Sequence, residues 1–248
     1  MGRQVATPLL RRIELDGQAI DYRLRHTRRR TVGLRIDDAG LRVAAPLRMS
    51  QARVDAFLRD HRGWVLDTLA QWAARPQPAR IVLTDGACFP LFGAPCRIVV
   101  RSGRQAARWA HMDDGGERLE VHCAAGQSVP RAVMKALRAR ALADFTARVA
   151  RDAAHLGRPM PEVRLTNART RWGSCSARAI RLNWRLAMLP EALVDYVVAH
   201  EVAHLVHMNH SPAFWAVVES LDPTAQAARR QLRELGQNLP ELIESAPV

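Results

Sequence analysis

Four of the nine histidines fall within eleven residues, His200-Glu-Val-Ala-His-Leu-Val-His-Met-Asn-His210. His200 and His204 are four apart, so on a helix they stack on one face about 6 Å apart along the axis, where two imidazoles can converge on one tetrahedral ion. Glu201 lies about 100° round the helix from His200, beside such an ion rather than on it. In a His-Glu-x-x-His arrangement this carboxylate takes a proton from metal-bound water as the water attacks a carbonyl, then returns it to the leaving amine. Residue types and spacing thus predict catalytic zinc with Glu201 as general base, although imidazole ligands accept other transition metals as well.

A catalytic zinc takes a third protein ligand and keeps one position open. His207 shares a helix face with His204 but lies about 10.5 Å along the axis from His200. His210 follows Asn209, a residue that tolerates the left-handed conformation of a reversing chain, and precedes Ser211 and Pro212, a good N-cap and first helical residue. His210 is therefore favoured over His207. A structural zinc would be closed by a fourth ligand, which Cys175 could supply from elsewhere in the chain, so a non-catalytic zinc-containing binding module is the competing class.

Positioning these groups requires a helix from 190 to about 207, started by Pro190 and Glu191, and a second from 211 to about 221. Phe214 and Trp215 on the second are expected to pack under the metal site. Asp195 or Glu219 could orient a ligand's other ring nitrogen, with exposed helix charge as the plainer account. A hairpin is expected over 169–186, with Ile180, Leu182, Trp184 and Leu186 on one face and Arg181, Asn183 and Arg185 on the other. Gly173 in Trp172-Gly-Ser-Cys175 permits a close backbone approach. Arg171, Arg181 and Asn183 are candidates for steadying an oxyanion.

Upstream, 129–155 reads as a long amphipathic helix. Strands with hairpin turns are expected at 13–16, 20–25, 31–36 and 41–45, then a helix from Ser50 that ends before 75–78. Further strands follow at 80–83, 88–92, 96–101 and 119–122, with a polar loop at 113–116. No internal repeat is visible in the sequence. The fold class is α+β: a β-rich subdomain over 11–126, then a catalytic domain over 127–240.

The 248 residues, 48% hydrophobic and 25% charged, suit an ordinary globular chain and exclude a collagen-like or wholly disordered one. The net charge of +13 comes almost wholly from arginine, since Lys135 is the one lysine. Residues 1–80 carry +8, 81–157 carry +4 and 158–248 carry +1, so the surplus lies away from the histidines. It suits a polyanion or an acidic partner, or else reflects an arginine-rich genome. No apolar run of membrane-spanning length exists, no secretory leader is apparent, and the four cysteines show no C-x-x-C pair, so a cytoplasmic location is expected.

The text Arg169-Thr-Arg-Trp-Gly-Ser-Cys-Ser176, Ile180-Arg-Leu-Asn-Trp-Arg-Leu186, Asp195-Tyr-Val-Val-Ala-His-Glu-Val-Ala-His-Leu205 and Asn209-His-Ser-Pro-Ala-Phe-Trp215 resembles the YgjP-like metal-dependent hydrolases. These are zincin-like metallopeptidases related to the SprT-like proteases. With the upstream hairpins and helix, the similarity extends over residues 20–238. The resemblance implies a zincin-like catalytic half, Zn2+ held by His200, His204 and His210, Glu201 as base, and a peptide or protein substrate. The relation to SprT-like proteases implies an alternative: a protease acting on DNA-bound proteins, with nucleic acid held by the basic N-terminal half.

Overall fold

Alternating apolar and polar residues build the first sheet. In the computed structural model, which describes residues 8–37, 39–74, 78–112, 116–168, 170–176, 178–236 and 238–243, the chain divides into two units, Met1–Pro76 and Gln77–Val248. The first holds β1 (Leu9–Leu15), β2 (Gln18–Thr27), β3 (Gly33–Asp37) and β4 (Gly40–Pro46) in the order β1-β2-β4-β3. Every second residue turns inward, burying Ile13, Leu15, Tyr22, Leu24, Leu41 and Val43 with Val54, Leu58 and Val65 from the helices that follow. The single helix expected from Ser50 is two, α1 (Gln51–Asp60) and α2 (Arg62–Ala73). His61 leaves helical geometry between them, and Gly63, a poor helix former, weakens the restart. Residues 75–77, before which the helix is expected to end, 113–115 of the expected loop and Arg169 lie outside the described residues.

The arginine surplus takes an ordered form on the outer face of this sheet, where register sets Arg23, Arg42 and Arg35 side by side on β2, β4 and β3. Like charges in adjacent positions repel. Asp37 reaches Arg42 and Arg35 at 3.2 and 3.5 Å, and Asp21 holds Arg12 at 2.7 Å, so much of the row is paired within the chain. The one aromatic residue of β1 to β4, Tyr22, points inward, leaving none on this face to stack a base.

The second unit begins with β5 (Arg80–Val82), which pairs with the terminal β13 (Glu241–Ile243), then β6 (Cys88–Leu91), β7 (Ala94–Ser102), β8 (Ala106–His111) and β9 (Glu117–Cys123). The last four form a sheet ordered β6-β7-β9-β8, with β7 and β9 parallel and both outer strands antiparallel. That is the strand order and pairing sense of β1 to β4. The topology therefore repeats where the residues show no repeat. β8 is unexpected because Ala106-Ala-Arg-Trp-Ala-His111 holds no β-branched residue; pairing with β9 makes it a strand.

Helix α3 (Val129–His155) starts at Ser128, whose hydroxyl accepts a hydrogen bond from the Arg131 amide. Val133, Leu137, Ala141, Phe145 and Val149, spaced by four, are buried in one stripe. They share a core with Phe89, Ile98 and Leu119 on one side of the sequence and Val197 and Phe214 on the other. The boundary expected at 126/127 thus lies inside the second unit: composition changes there because a helix begins, not because a core ends. After α3 come β10 (Glu162–Thr166), β11 (Gly173–Cys175) and β12 (Ala179–Asn183), ordered β10-β12-β11. Mixed α and β elements with a β-rich first half match the expected α+β class.

Strand β12 stops at Asn183 rather than running to 186, and a 3-10 turn covers Trp184–Met188. The Asn183 carboxamide accepts from the Arg185 amide, capping that turn and ending the extended run. Helices α4 (Glu191–Ala203), α5 (Pro212–Leu221) and α6 (Ala225–Leu235) complete the unit. No helix of the described residues is long and apolar enough to cross a membrane.

Candidate metal centre

Helix α4 is buried on most of its circumference, with Leu193, Val194, Tyr196, Val197, Val198, Val202 and Ala203 inside the core. Such a helix must sit centrally. It is tied to α3 by Arg148, which reaches Asp195 at 2.9 Å and Asp144 at 2.7 Å, and by Arg151, which also reaches Asp195. Burial works against the Arg148 charge, but its hydrogen bonds to Asp144 and Asp195 outweigh this and hold its pKa above the ordinary value.

The helix ends at Ala203, one turn earlier than expected, with His204 as its C-cap. This early end brings the third histidine into place. The chain turns through 204–210, and Ser211 caps α5 by accepting from the Phe214 amide. Ring nitrogens of His200, His204 and His210 then lie within 4.8 Å of one another. The Nε2 atoms of His200 and His210 are 3.2 Å apart. Two nitrogens each ~2.0–2.1 Å from a tetrahedral ion are separated by about 3.3 Å. The His200–His210 pair therefore has the separation of two ligands on one tetrahedral ion, and all three rings lie close enough to hold one ion.

His207 does not join with its ring. Its backbone carbonyl instead lies 3.0 Å from Nδ1 of His204, accepting that N–H and leaving the lone pair of the neutral ring on Nε2. This orienting contact comes from neither Asp195, which pairs with Arg148 and Arg151, nor Glu219, which accepts from Gln226 at 3.0 Å. It was not readable from residue types, because any residue at 207 presents a carbonyl. Nδ1 of His200 is buried without a hydrogen-bond partner among the described residues. Burial, with His204, His210 and Arg229 nearby, pushes the His200 pKa down to about 4, so its imidazole is neutral and its lone pair available.

Phe214, fully buried, is the common floor: its ring centroid is 5.0 Å from that of His200, 4.6 Å from His204 and 4.8 Å from His210. Trp215 flanks the group, 5.7 Å from His200 and 6.0 Å from His210. Both fulfil the packing expected of them.

Glu201 is 6% exposed, with no hydrogen bond or ion pair among the described residues. Burial raises its pKa to about 7, against a smaller opposing pull from Arg171. Its neighbour across the gap is Gly173 of β11. A Cβ there would stand 2.5 Å from Oε1 and 2.6 Å from Cγ of Glu201, so only glycine admits this approach.

The family model of the YgjP-like metallopeptidase domain matches residues 30–235. The chain belongs to the YgjP-like family. It is accordingly a metallopeptidase-family hydrolase, and among the described residues His200, His204 and His210 form a group that could hold a metal ion. A solved structure similar to this YgjP-like chain is the crystal structure of the metallopeptidase zymogen of Pyrococcus abyssi abylysin, 26% identical over 38% of this chain and 98% of that one, with a TM-score of 0.35. No curated protein matches the chain.

The remaining candidates of the YgjP-like site separate cleanly. Asn183 is buried and donates to the carbonyls of Ala168 and Arg171 while accepting from Arg185, so its amide is spent on backbone and has no capacity left for an oxyanion. Arg181 is exposed and its charge acts on Glu162. Arg171 is the one whose charge reaches Glu201. Cys175 is not part of the histidine group; burial first and the Glu201 charge second push its thiol up to about 11. Trp172 packs against Gly236 at the end of α6 and belongs to the core.

Proposed function

We propose that the chain is a zinc metallopeptidase that hydrolyses peptide bonds at the His200, His204 and His210 group, with Glu201 as general base. The observation that carries this reading is a group of three ring nitrogens within 4.8 Å of one another beside a buried carboxylate that is not one of its members. Among the described residues no fourth side chain closes the group, which favours a reactive site over a structural one. The ion, when bound, supplies Lewis acidity, polarising the scissile carbonyl and lowering the pKa of water.

The chain's own residues do the rest. Glu201 takes the proton of the attacking water as the C–O bond forms and delivers it to the amide nitrogen as the C–N bond breaks. Its apolar surroundings raise its basicity toward that of the proton it must exchange. Strand β11 is an edge strand, and Gly173 seats this edge against Glu201. An extended substrate can add to the edge by main-chain hydrogen bonds, which bring a peptide bond to the carboxylate with little sequence preference.

The direct test is digestion of a peptide library by metal-analysed protein. Chelation is expected to abolish cleavage and zinc to restore it; cleavage that survives complete metal removal would exclude the reading. A second outcome follows from the contact with β11. Gly173→Ala is expected to lower kcat about 10²-fold, because displacing a catalytic group by about 1 Å costs that much. Steady-state kinetics with a library-derived peptide reads it, and an unchanged kcat would mean Glu201 needs no support from β11.

A further inference from the structure

Trp215 belongs to two surfaces at once. Its ring lies nearly parallel to that of His210, at an interplanar angle of 27°, and it also walls a cleft of about 380 Å³ between α5 and α6. The cleft is lined further by Glu219, Ala225, Gln226, Arg229, Arg230 and Arg233. The Arg229 guanidinium carbon stands 4.7 Å from the Trp215 ring centre. Tryptophan thus bridges the histidine group and the arginines.

These arginines are unusual for their neighbourhood. The last 91 residues carry only +1 net, yet three positive charges fall within five residues on one exposed helix. Arg229 and Arg233 are four apart, a spacing at which like charges oppose the helix. No carboxylate lies within ion-pairing distance of any of the three among the described residues, and Glu219, the acidic residue of the cleft, is engaged by Gln226. Of the three, only Arg233 lies in the last turn, where the helix dipole favours a positive charge. A planar guanidinium held on an indole face keeps its N–H edge for a bidentate acceptor.

We propose that this cleft is a substrate subsite for a carboxylate, from an acidic side chain or a peptide's C-terminus, gripped by Arg229, Arg230 and Arg233 with Trp215 as its wall. The proposal rests on the peptidase reading of the adjoining histidine group. The Trp215 separations from His210 and Arg229 together span about three residues of extended chain at ~3.3 Å each. The carboxylate would therefore sit within a few residues of the bond to be cut. The volume lies at the small end of ligand pockets, suited to a side chain or a terminus.

Binding is measured on the full chain carrying Glu201→Gln, so that bound peptide is not consumed. Fluorescent ten-residue neutral peptides are compared with versions carrying one Glu at successive positions, the matched Gln versions, and each with a free or an amidated C-terminus. The carboxylate forms are expected to bind about tenfold more tightly than their amides, and the difference is expected to vanish in Arg229→Gln/Arg230→Gln/Arg233→Gln, a variant whose exposed helix keeps good helix formers. The Glu series and the terminal series show which carboxylate is used. Equal binding of acid and amide forms, or a preference that survives the triple substitution, overturns the subsite. Cleavage of the same peptides by the wild-type chain separates the two ideas. Acid-selective binding without any cleavage leaves the subsite standing and removes the peptidase reading; cleavage without acid preference does the reverse.

Discussion

Replacing Glu201 by glutamine is expected to lower peptide hydrolysis by about 10²–10⁴-fold while the protein keeps its metal and its fold. Glutamine matches the shape of glutamate, so it fits the slot between α4 and Gly173 that leaves no room for an added methyl. It cannot accept the proton of an attacking water. Metal retention follows from the geometry, because the ligand group is made of three ring nitrogens and the carboxylate is not among them. Folding should not suffer either. The wild-type carboxyl is buried without a hydrogen bond or ion pair among the described residues, and a neutral amide removes a charge that burial disfavours. Kinetics, metal content per chain and thermal unfolding of the variant check these three expectations together. Undiminished hydrolysis would move the base elsewhere, and loss of metal would make Glu201 a ligand.

The local grouping of the histidines was legible and long-range construction was not. His200, His204 and Glu201 could be read from an i, i+4 spacing on one helix, and His210 from the Asn209 to Pro212 reversal. Both rest on local rules of helix geometry and capping that need no tertiary information. Gly173 is legible as a place of close approach, but what approaches it is not, since the partner is 28 positions away on another element. The carbonyl of His207 was invisible for a deeper reason. Sequence reports side chains, while the contact to His204 is made by backbone after α4 has ended. The same limit hid β8, which is a strand by virtue of its neighbour β9, and the shared order of the two four-stranded sheets, which conserves pairing sense without conserving residues. Asn183 shows the opposite error: a polar residue near a site invites a catalytic reading, yet its hydrogen-bonding capacity is spent on loop backbone.

Phe214→Ala is expected to cost about 3–5 kcal/mol, the range for emptying a buried phenylalanine site, and to lower the melting temperature of the second unit by roughly 6–20 °C. The ring is fully buried, and the elements around it are held by α4 on one side and the capped start of α5 on the other, so little collapse can fill the void. The consequence reaches the metal because this one ring touches all three imidazoles. Removing it frees each imidazole to tilt, and metal affinity is expected to fall about 10–100-fold, as when the support of a ligand is deleted. Competition with a chelator of known strength measures this, at a temperature where the variant remains folded. Phe214→Leu distinguishes packing from ring support: it refills most of the volume and should recover most of the stability, but it lacks the aromatic ring that all three imidazoles contact. Stability regained with affinity still weak would identify Phe214 as the platform of the metal site. Affinity regained along with stability would reduce it to a filler of the core.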